Sequence, residues 1–179
     1  MSDQNKSSAH ICDPARLHSV PTPQYVLDLR QQIGTATLLL PGVQSVVFDD
    51  RDSPTTVLLA QRADNHLWHL PAGIMEPDEQ PAPALVREVL EETGVDIAID
   101  RLVSLRTLPT ATYPNGDQVQ FLSSTFRGHY LSGAAHVADD ESIAVDWYDL
   151  DRLPDSLSTR DREMIDRALP LDGTPYFEV

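Results

Sequence analysis

Residues 73–95, GIMEPDEQPAPALVREVLEETGV, carry the pattern that is most informative about the fold of this 179-residue chain. The stretch holds six acidic residues and a single arginine. Pro81 and Pro83 stand where a helix can begin, because the amides of a first helical turn have no intrahelical partners. Gly94 supplies a C-terminal stop. The pattern predicts a helix that runs to about Thr93.

This predicted helix is amphipathic. At 100° per residue its carboxylates form one narrow stripe, and apolar side chains cluster on the opposite side. The stripe contains Glu88, Glu91 and Glu92, and the opposite side contains Val86, Val89, Leu90 and Thr93. Like charges at this spacing oppose helix formation by roughly 0.2–0.5 kcal/mol per pair, a cost that a divalent cation would reverse. Magnesium prefers such hard oxygen ligands. For the stripe alone, a solvated helix face is the more frequent explanation.

Two further features of the stretch fit a metal site. Arg87 is close enough to Glu88 and Glu91 to hold a carboxylate through a fork-shaped contact. Gly73 lacks a β-carbon, so the backbone could approach an ion closely, and the neighbouring Ala72 could offer its carbonyl oxygen.

The same residues carry a family resemblance. Gly73, five residues, Glu79, seven residues, Arg87-Glu88-Val89, one residue, Glu91-Glu92, one residue and Gly94-Val95 together resemble the Nudix box at every defined position. The flanking sequences HLWHLPAG and AVDWYDLDRLP are also similar to the family, so the resemblance extends from about residue 43 to residue 169. Ala72 departs from the pattern, since many relatives have a second glycine there, but its carbonyl would be the working atom.

The resemblance implies an α/β fold: a Nudix-like α/β/α sandwich with a mixed sheet and a catalytic loop-helix-loop. Residues 23–179 would form this single hydrolase domain. Residues 1–22 are polar, lack hydrophobic periodicity and are predicted to be a flexible N-terminal tail.

The resemblance also implies an activity: Mg²⁺-dependent hydrolysis, with Mn²⁺ as a substitute, of the pyrophosphate bond in a nucleoside diphosphate linked to another moiety. Its implied metal ligands are Glu88, Glu91, Glu92, Glu79 in a supporting position, and Ala72. Arg87 would orient the carboxylates, and Gly73 and Gly94 would be structural. Glu88 or Glu91 could be the general base, but some relatives place a carboxylate in a loop after the box, and Glu141 is the candidate here. Its acidic run, residues 139–141, could equally be a polar loop. A homodimer is common in the family.

Substrate identity rests on weaker signs. Tyr113 lies 18 residues past the box, near a spacing that the family associates with dinucleoside polyphosphates, although TYPNGD is also an ordinary hairpin. Trp68 could stack on a nucleobase or belong to the core. Three arginines could meet phosphates, namely Arg62, Arg106 and Arg127. The leading candidate substrates are ADP-ribose-like or dinucleoside compounds, and oxidised nucleoside triphosphates are the next candidates. His66 and His69 are interpreted as packing or surface residues rather than ligands.

The composition excludes several other classes. Acidic residues number 28 against 13 basic residues, a net charge of −15, which argues against a nucleic acid polymer or an anionic membrane as partner. A single cysteine, Cys12, permits neither an internal disulfide nor a cysteine-based zinc site. The sequence shows neither a signal peptide nor an apolar run of membrane-spanning length, so we expect a soluble, cytoplasmic protein whose partner is a small nucleotide.

Two alternatives to the hydrolase remain. One is a catalytically silent nucleotide-sensing or regulatory module on the same fold. The other is a plain acidic interaction domain, which predicts no response to magnesium.

Patterns outside the box predict the remaining elements. The segment PQYVLDLRQQIG, residues 23–34, is predicted to form a short helix that Gly34 ends, followed by two strands on either side of Pro41-Gly42. HLWHLPAG is predicted to be a loop. Later segments predict a hairpin around Asn115-Gly116, a half-buried strand SIAVDWYDL, and a last helix capped by Ser158 with Asp161.

Overall fold

The computed structural model describes residues 22–139 and 141–177. The tail predicted for residues 1–22 lies, apart from residue 22, outside this part of the chain. Within the described residues the elements are α1 (Gln24–Ile33), β1 (Leu38–Phe48), β2 (Thr56–Arg62), β3 (Trp68–His69), β4 (Ala72–Ile74), α2 (Pro81–Thr93), β5 (Val95–Thr107), β6 (Ala111–Thr112), β7 (Gln118–Gly133), β8 (Ser142–Asp149) and α3 (Thr159–Ala168).

The strands form one mixed sheet. Its central path runs β3-β2-β1-β7-β5, while β4 pairs with β1, β6 with β7 and β8 with β2. The long pairing of β1 with β7, from Leu38↔Val119 to Phe48↔His129, is parallel. The β5–β7 pairing is antiparallel and forms the hairpin that the Asn115-Gly116 turn predicts.

Each face of the sheet is covered by a helix. Alternate side chains of β1 point to opposite faces, so this strand contributes to the core under each helix. Val46 and Phe48 pack with Met164 and Ile165 of α3. Val43 and Val47 pack with residues of α2, which contributes Ala84, Leu85 and Val89. A third cluster lies under α1. This arrangement confirms the predicted α/β sandwich with its mixed sheet.

Two local predictions were wrong. The chain does not break at Pro41-Gly42: β1 runs through both residues, with β7 on one side and β4 on the other, and the Pro41 carbonyl accepts a hydrogen bond from the Met75 amide. HLWHLPAG is not a plain loop, since it contributes the short strands β3 and β4. β3 pairs with β2, the strand just before it, whereas β4 pairs with the distant strand β1, which local pattern could not reveal.

The helix ends agree with the sequence. α2 carries prolines in its first turn and ends at Gly94, whose φ of 70° is left-handed. The Ser158 side chain accepts a hydrogen bond from the Asp161 amide and caps α3. No helix among residues 22–139 and 141–177 has the length and apolar character needed to cross a membrane.

Candidate active site

The carboxylate stripe of α2 is not uniformly solvent-facing, and this corrects the sequence interpretation. The Glu91 side chain is 60% exposed, that of Glu88 is 13% exposed, and Glu92 as a residue is 5% exposed. The burial arises because β3, β4 and the segment after β7 fold over the C-terminal part of the helix. One helix therefore presents three glutamates in three different environments.

Arg87 gathers the outer carboxylates. Its Nε and Nη2 donate to the two oxygens of Glu79 at 2.8 and 2.9 Å, in the fork geometry that favours bidentate pairing. Its Nη1 lies 3.0 Å from an oxygen of Glu91 and 3.0 Å from an oxygen of Glu88. The hydrogen bonds from Arg87 lower the pKa of Glu79, and Glu79 in turn raises the pKa of Arg87. The predicted orienting role of Arg87 therefore has a matching geometry.

Gly73 makes room for Glu88. A β-carbon at position 73 would overlap the carboxyl group of Glu88, so the strand β4 can pass the helix at this point because residue 73 has no side chain. Burial raises the pKa of Glu88, and the neighbouring Arg87 opposes this shift. Gly73 and Glu88, the first glutamate of the α2 stripe, are thus in direct packing contact.

Glu92 is the buried centre of the site. Its Oε1 accepts a hydrogen bond from Ser142 Oγ at 3.2 Å and lies 3.4 Å from Nε2 of His69, and its carboxylate also accepts from the Ala72 amide. Its Oε2 is buried and has no hydrogen-bond partner among the described residues. Burial, reinforced by the charge of Asp139, raises the pKa of Glu92 to about 8.

The segment after β7 docks onto the end of α2. The amides of His136 and Ala138 donate to the carbonyls of Thr93 and Glu92 at 3.0 and 3.3 Å, which satisfies acceptors that a helix C-terminus leaves unpaired. The His136 ring occupies the space that a β-carbon on Gly94 would need. Gly94 therefore ends the helix and also admits this segment.

Glu141 is brought beside the box glutamates by that docking. Burial is the main cause that raises its pKa to about 9, and the negative charges of Asp139, Glu92 and Glu88 contribute. Asp139 has a different task in the same run: its Oδ1 accepts from the amides of Glu141 and Ser142 at 2.9 and 3.3 Å. Asp140, the third acid, lies outside the described residues.

The donor set fits a hard divalent cation, although no three His, Cys, Asp or Glu side chains converge as a ready-made metal cage within residues 22–139 and 141–177. The carboxylates of Glu79, Glu88 and Glu91 instead contact the guanidinium of Arg87. The fit rests on Glu92 Oε2, a buried carboxylate oxygen without a partner, beside two further carboxylates with raised pKa values. Glu88, Glu91, Glu92 and the Ala72 carbonyl could complete such a site.

The predicted substrate-contacting residues lie in different places. Arg62 is buried and holds Asp64 through two contacts of 2.8 and 2.7 Å, and its charge reaches Glu141. Trp68 packs edge-on against Tyr148 at a centroid distance of 4.8 Å. Tyr113 is buried in the apolar cluster that includes Val26 of α1.

Arg127 does not face the site, so the expectation that it meets phosphates was wrong. It is fully buried, pairs with Asp100, and donates to the carbonyls of Ala168 and Arg51. Arg106 lies 3.8 Å from Glu163 of α3. Both arginines belong to the α3 side of the sheet, which sequence alternation alone could not distinguish from the α2 side.

Two residues at the site were missed by the sequence analysis. His69 was interpreted as a packing residue, yet its Nε2 faces Glu92 while its Nδ1 lies 2.9 Å from the Leu70 carbonyl. Ser142 was not considered, because one serine at the start of a strand carries no sequence signal. Its position next to Glu141 was the sole available pointer.

A fold with this sheet order, an acidic helix behind a glycine-containing strand, and an arginine that gathers its glutamates defines the class of protein. The NUDIX domain family model matches residues 38–168. The chain belongs to the NUDIX domain family.

Individual relatives agree with this assignment. A MutT-like protein from Streptomyces ambofaciens is 36% identical over 108 residues, which cover 60% of this chain and 62% of the relative. The human 8-oxo-dGDP phosphatase NUDT18 is 31% identical over 155 residues, covering 87% of this chain and 43% of the relative. This chain thus spans less than two thirds of either relative.

A solved structure shares the fold. An ADP-ribose pyrophosphatase from Streptococcus suis superposes with a TM-score of 0.59 at 21% identity, covering 78% of this chain and 98% of that chain.

Proposed function

We propose that this chain is a Mg²⁺-dependent hydrolase that cleaves a phosphoanhydride bond in a nucleotide, with Mn²⁺ as a substitute metal. The observation that carries the proposal is the buried carboxylate of Glu92, whose Oε2 has no partner among the described residues, next to Glu88 and Glu141. Carboxylates within electrostatic reach of one another oppose each other's ionisation. A divalent cation and the phosphates it bridges would balance them.

Each residue has a task in this proposal. Glu92, Glu88, Glu91 and the Ala72 carbonyl would hold the cation, which when bound supplies positive charge against the phosphate oxygens and acidifies water. Arg87 orients the outer carboxylates through Glu79. Glu141 would accept the proton of the water that attacks phosphorus once the charge of the bound cation lowers its pKa from the metal-free value of about 9. Unlike Asp139, its side chain does not hold the amides of the loop.

For the substrate, we place oxidised nucleoside di- and triphosphates at the head of the panel. The human relative, which shares sequence over 87% of this chain, is named for 8-oxo-dGDP. ADP-ribose and dinucleoside polyphosphates follow. The tyrosine that favoured dinucleoside compounds, Tyr113, is buried under α1, which weakens that argument. Arg62 and Trp68 stay candidate substrate contacts, and a homodimer stays a prediction for light scattering to test.

The test is product release from 8-oxo-dGDP, 8-oxo-dGTP, ADP-ribose and diadenosine polyphosphates, with Mg²⁺, with Mn²⁺ and with EDTA. We expect metal-dependent turnover of at least one compound by the wild type. Glu92→Gln should abolish it, while Glu163→Gln, the same change on the exposed face of α3, should not. If no compound is turned over but a nucleotide raises the melting temperature, the protein is a nucleotide-sensing module and the hydrolase proposal is wrong.

A further inference from the structure

The two oxygens of the Glu92 carboxylate have different surroundings. Oε1 faces protein groups, with Ser142 Oγ at 3.2 Å and His69 Nε2 at 3.4 Å. Oε2 is buried without a hydrogen-bond partner among the described residues. A carboxylate that is free to rotate about its Cγ–Cδ bond presents its oxygens in no fixed direction, so a contact that holds one oxygen also sets the direction in which the other faces.

Ser142 is suited to fix it. Towards a carboxylate its hydroxyl can act as a donor, whatever the state of the neighbouring groups. The residue is 4% exposed and lies on β8, where it pairs with Arg62 of β2. Its amide is held by Asp139 Oδ1 at 3.3 Å. The backbone of Ser142 is therefore held by β2 and by Asp139, and the hydroxyl is only one bond away from the β-carbon that this backbone positions.

We propose that Ser142 is a positioning residue that holds Oε1 of Glu92 and so presents Oε2 to a hard divalent cation. The inference rests on the proposed function, because it assumes that Glu92 is a metal ligand. Residues that hydrogen-bond a ligating carboxylate set its orientation, and their loss typically weakens metal binding by about 10- to 100-fold. The sequence box does not contain Ser142, which reaches Glu92 from fifty positions further along the chain.

The experiment compares Ser142→Ala with Ser104→Ala in the full chain. Ser104 is a matched control: it is also a fully buried strand serine, and its hydroxyl contacts Met164 Sδ at 3.4 Å on the α3 side. Mg²⁺ and Mn²⁺ affinities are measured by titration calorimetry without nucleotide, and melting temperatures are measured in EDTA. We expect Ser142→Ala to weaken both affinities about 10-fold, while Ser104→Ala changes only the melting temperature.

Two further variants separate positioning from packing. Ser142→Thr retains a hydroxyl and should restore most of the affinity. Ser142→Cys has nearly the same shape but a weak donor, and should behave like Ser142→Ala even if the latter folds poorly. In kinetics, the Mg²⁺ concentration for half-maximal rate should rise, with the nucleotide KM at saturating Mg²⁺ unchanged.

Failure of the inference and failure of the proposed function look different. If the wild type binds Mg²⁺ and both Ser142→Ala and Ser142→Cys bind it equally well, Ser142 is a packing residue and the positioning role is wrong. If the wild type itself binds neither Mg²⁺ nor Mn²⁺, the metal site fails, and the inference fails with it.

Discussion

Gly73 and Glu88 are in such close contact that a single added carbon cannot fit between them: a β-carbon on Gly73 would overlap the Glu88 carboxyl group. This contact joins β4 to α2 at the first glutamate of the α2 stripe. Glu88 can therefore keep its position only if residue 73 is glycine, independently of any backbone flexibility that the glycine provides.

Gly73→Ala should displace Glu88 and reduce kcat by about 100-fold, since a misplacement of about 1 Å at a catalytic group can have that effect. Steady-state kinetics with the best substrate of the panel measures it. Gly34→Ala is the control, because Gly34 has a positive φ and nothing within 4 Å of its would-be β-carbon. It should lower stability and leave kcat unchanged. A fully active Gly73→Ala would contradict the steric argument.

The buried Glu92 gives the metal-free protein a characteristic pH dependence of stability. Its folded pKa of about 8 lies above its ordinary value of 4.5, so the folded state retains a proton that the unfolded chain releases. The stabilisation is complete below about pH 4.5 and is lost as the pH rises towards about 8. Glu141, with a pKa of about 9, acts in the same direction.

Glu92→Gln should therefore make the protein in EDTA more stable at pH 8, by an amount on the order of a few kcal/mol, and flatten the decline with pH without removing it. The same variant should lose the stabilisation that Mg²⁺ gives to the wild type. Urea unfolding between pH 5 and pH 8.5 measures both effects, with Glu163→Gln as the charge-matched control. A variant less stable than the wild type at pH 8 would disprove the assignment of Glu92 as a buried, uncompensated acid.

Arg87→Lys tests whether geometry or charge matters at position 87. Lysine keeps the positive charge but cannot contact both oxygens of Glu79 through a planar fork. We expect the activity at limiting Mg²⁺ to fall about 10- to 100-fold, as for other groups that orient metal ligands. Arg167→Lys, in the exposed pair with Glu163, should change activity by less than about twofold. Equal effects of the two substitutions would argue against an orienting role for Arg87.

The sequence could predict what is local and could not predict what is brought together across the sheet. Pro81, the glutamate period and Gly94 define α2 and its cap within one short segment. The burial of Glu92 depends on His69 of β3 and Ser142 of β8, which reach it from positions 23 residues before and 50 residues after it. Periodicity along one helix cannot reveal such distant contacts.

The position of Arg127 shows the same limit, because its contacts with distant residues cannot be read from local sequence patterns. Arg127 lies on the central strand β7, and its side chain is fully buried on the face of the sheet that α3 covers. The alternation of side chains along β7 shows which residues share a face with Arg127. It does not show that Arg127 forms an ion pair with Asp100 of β5. Arg127, which the sequence suggested as a phosphate-binding residue, is consequently part of the core.

Arg127→Met should accordingly destabilise the protein without changing substrate affinity. Removing the guanidinium leaves Asp100, whose side chain is 4% exposed, with only the half-exposed Arg51 at 3.2 Å and His129 at 3.0 Å as partners. Breaking a buried ion pair in this way should cost up to about 3–5 kcal/mol. Equilibrium urea unfolding measures the loss, and KM per folded molecule should equal that of the wild type. Adding Asp100→Leu to Arg127→Met should recover part of the stability, because the buried carboxylate that lost its buried partner is then removed as well. A raised KM with normal stability would instead place Arg127 in substrate binding.

Glu141→Gln separates the proposed base from its acidic neighbour. If Glu141 accepts the proton from the attacking water, its amide isostere should lower kcat by about 10²- to 10⁴-fold with little change in nucleotide KM. Asp139→Asn keeps an Oδ1 that can accept from the amides of Glu141 and Ser142, so it should retain most of the activity. Single-turnover rates with saturating Mg²⁺ compare the two variants at the chemical step. If instead Asp139→Asn is the inactive variant and Glu141→Gln turns over normally, the base is not Glu141, and Glu88 and Glu91 become the candidates.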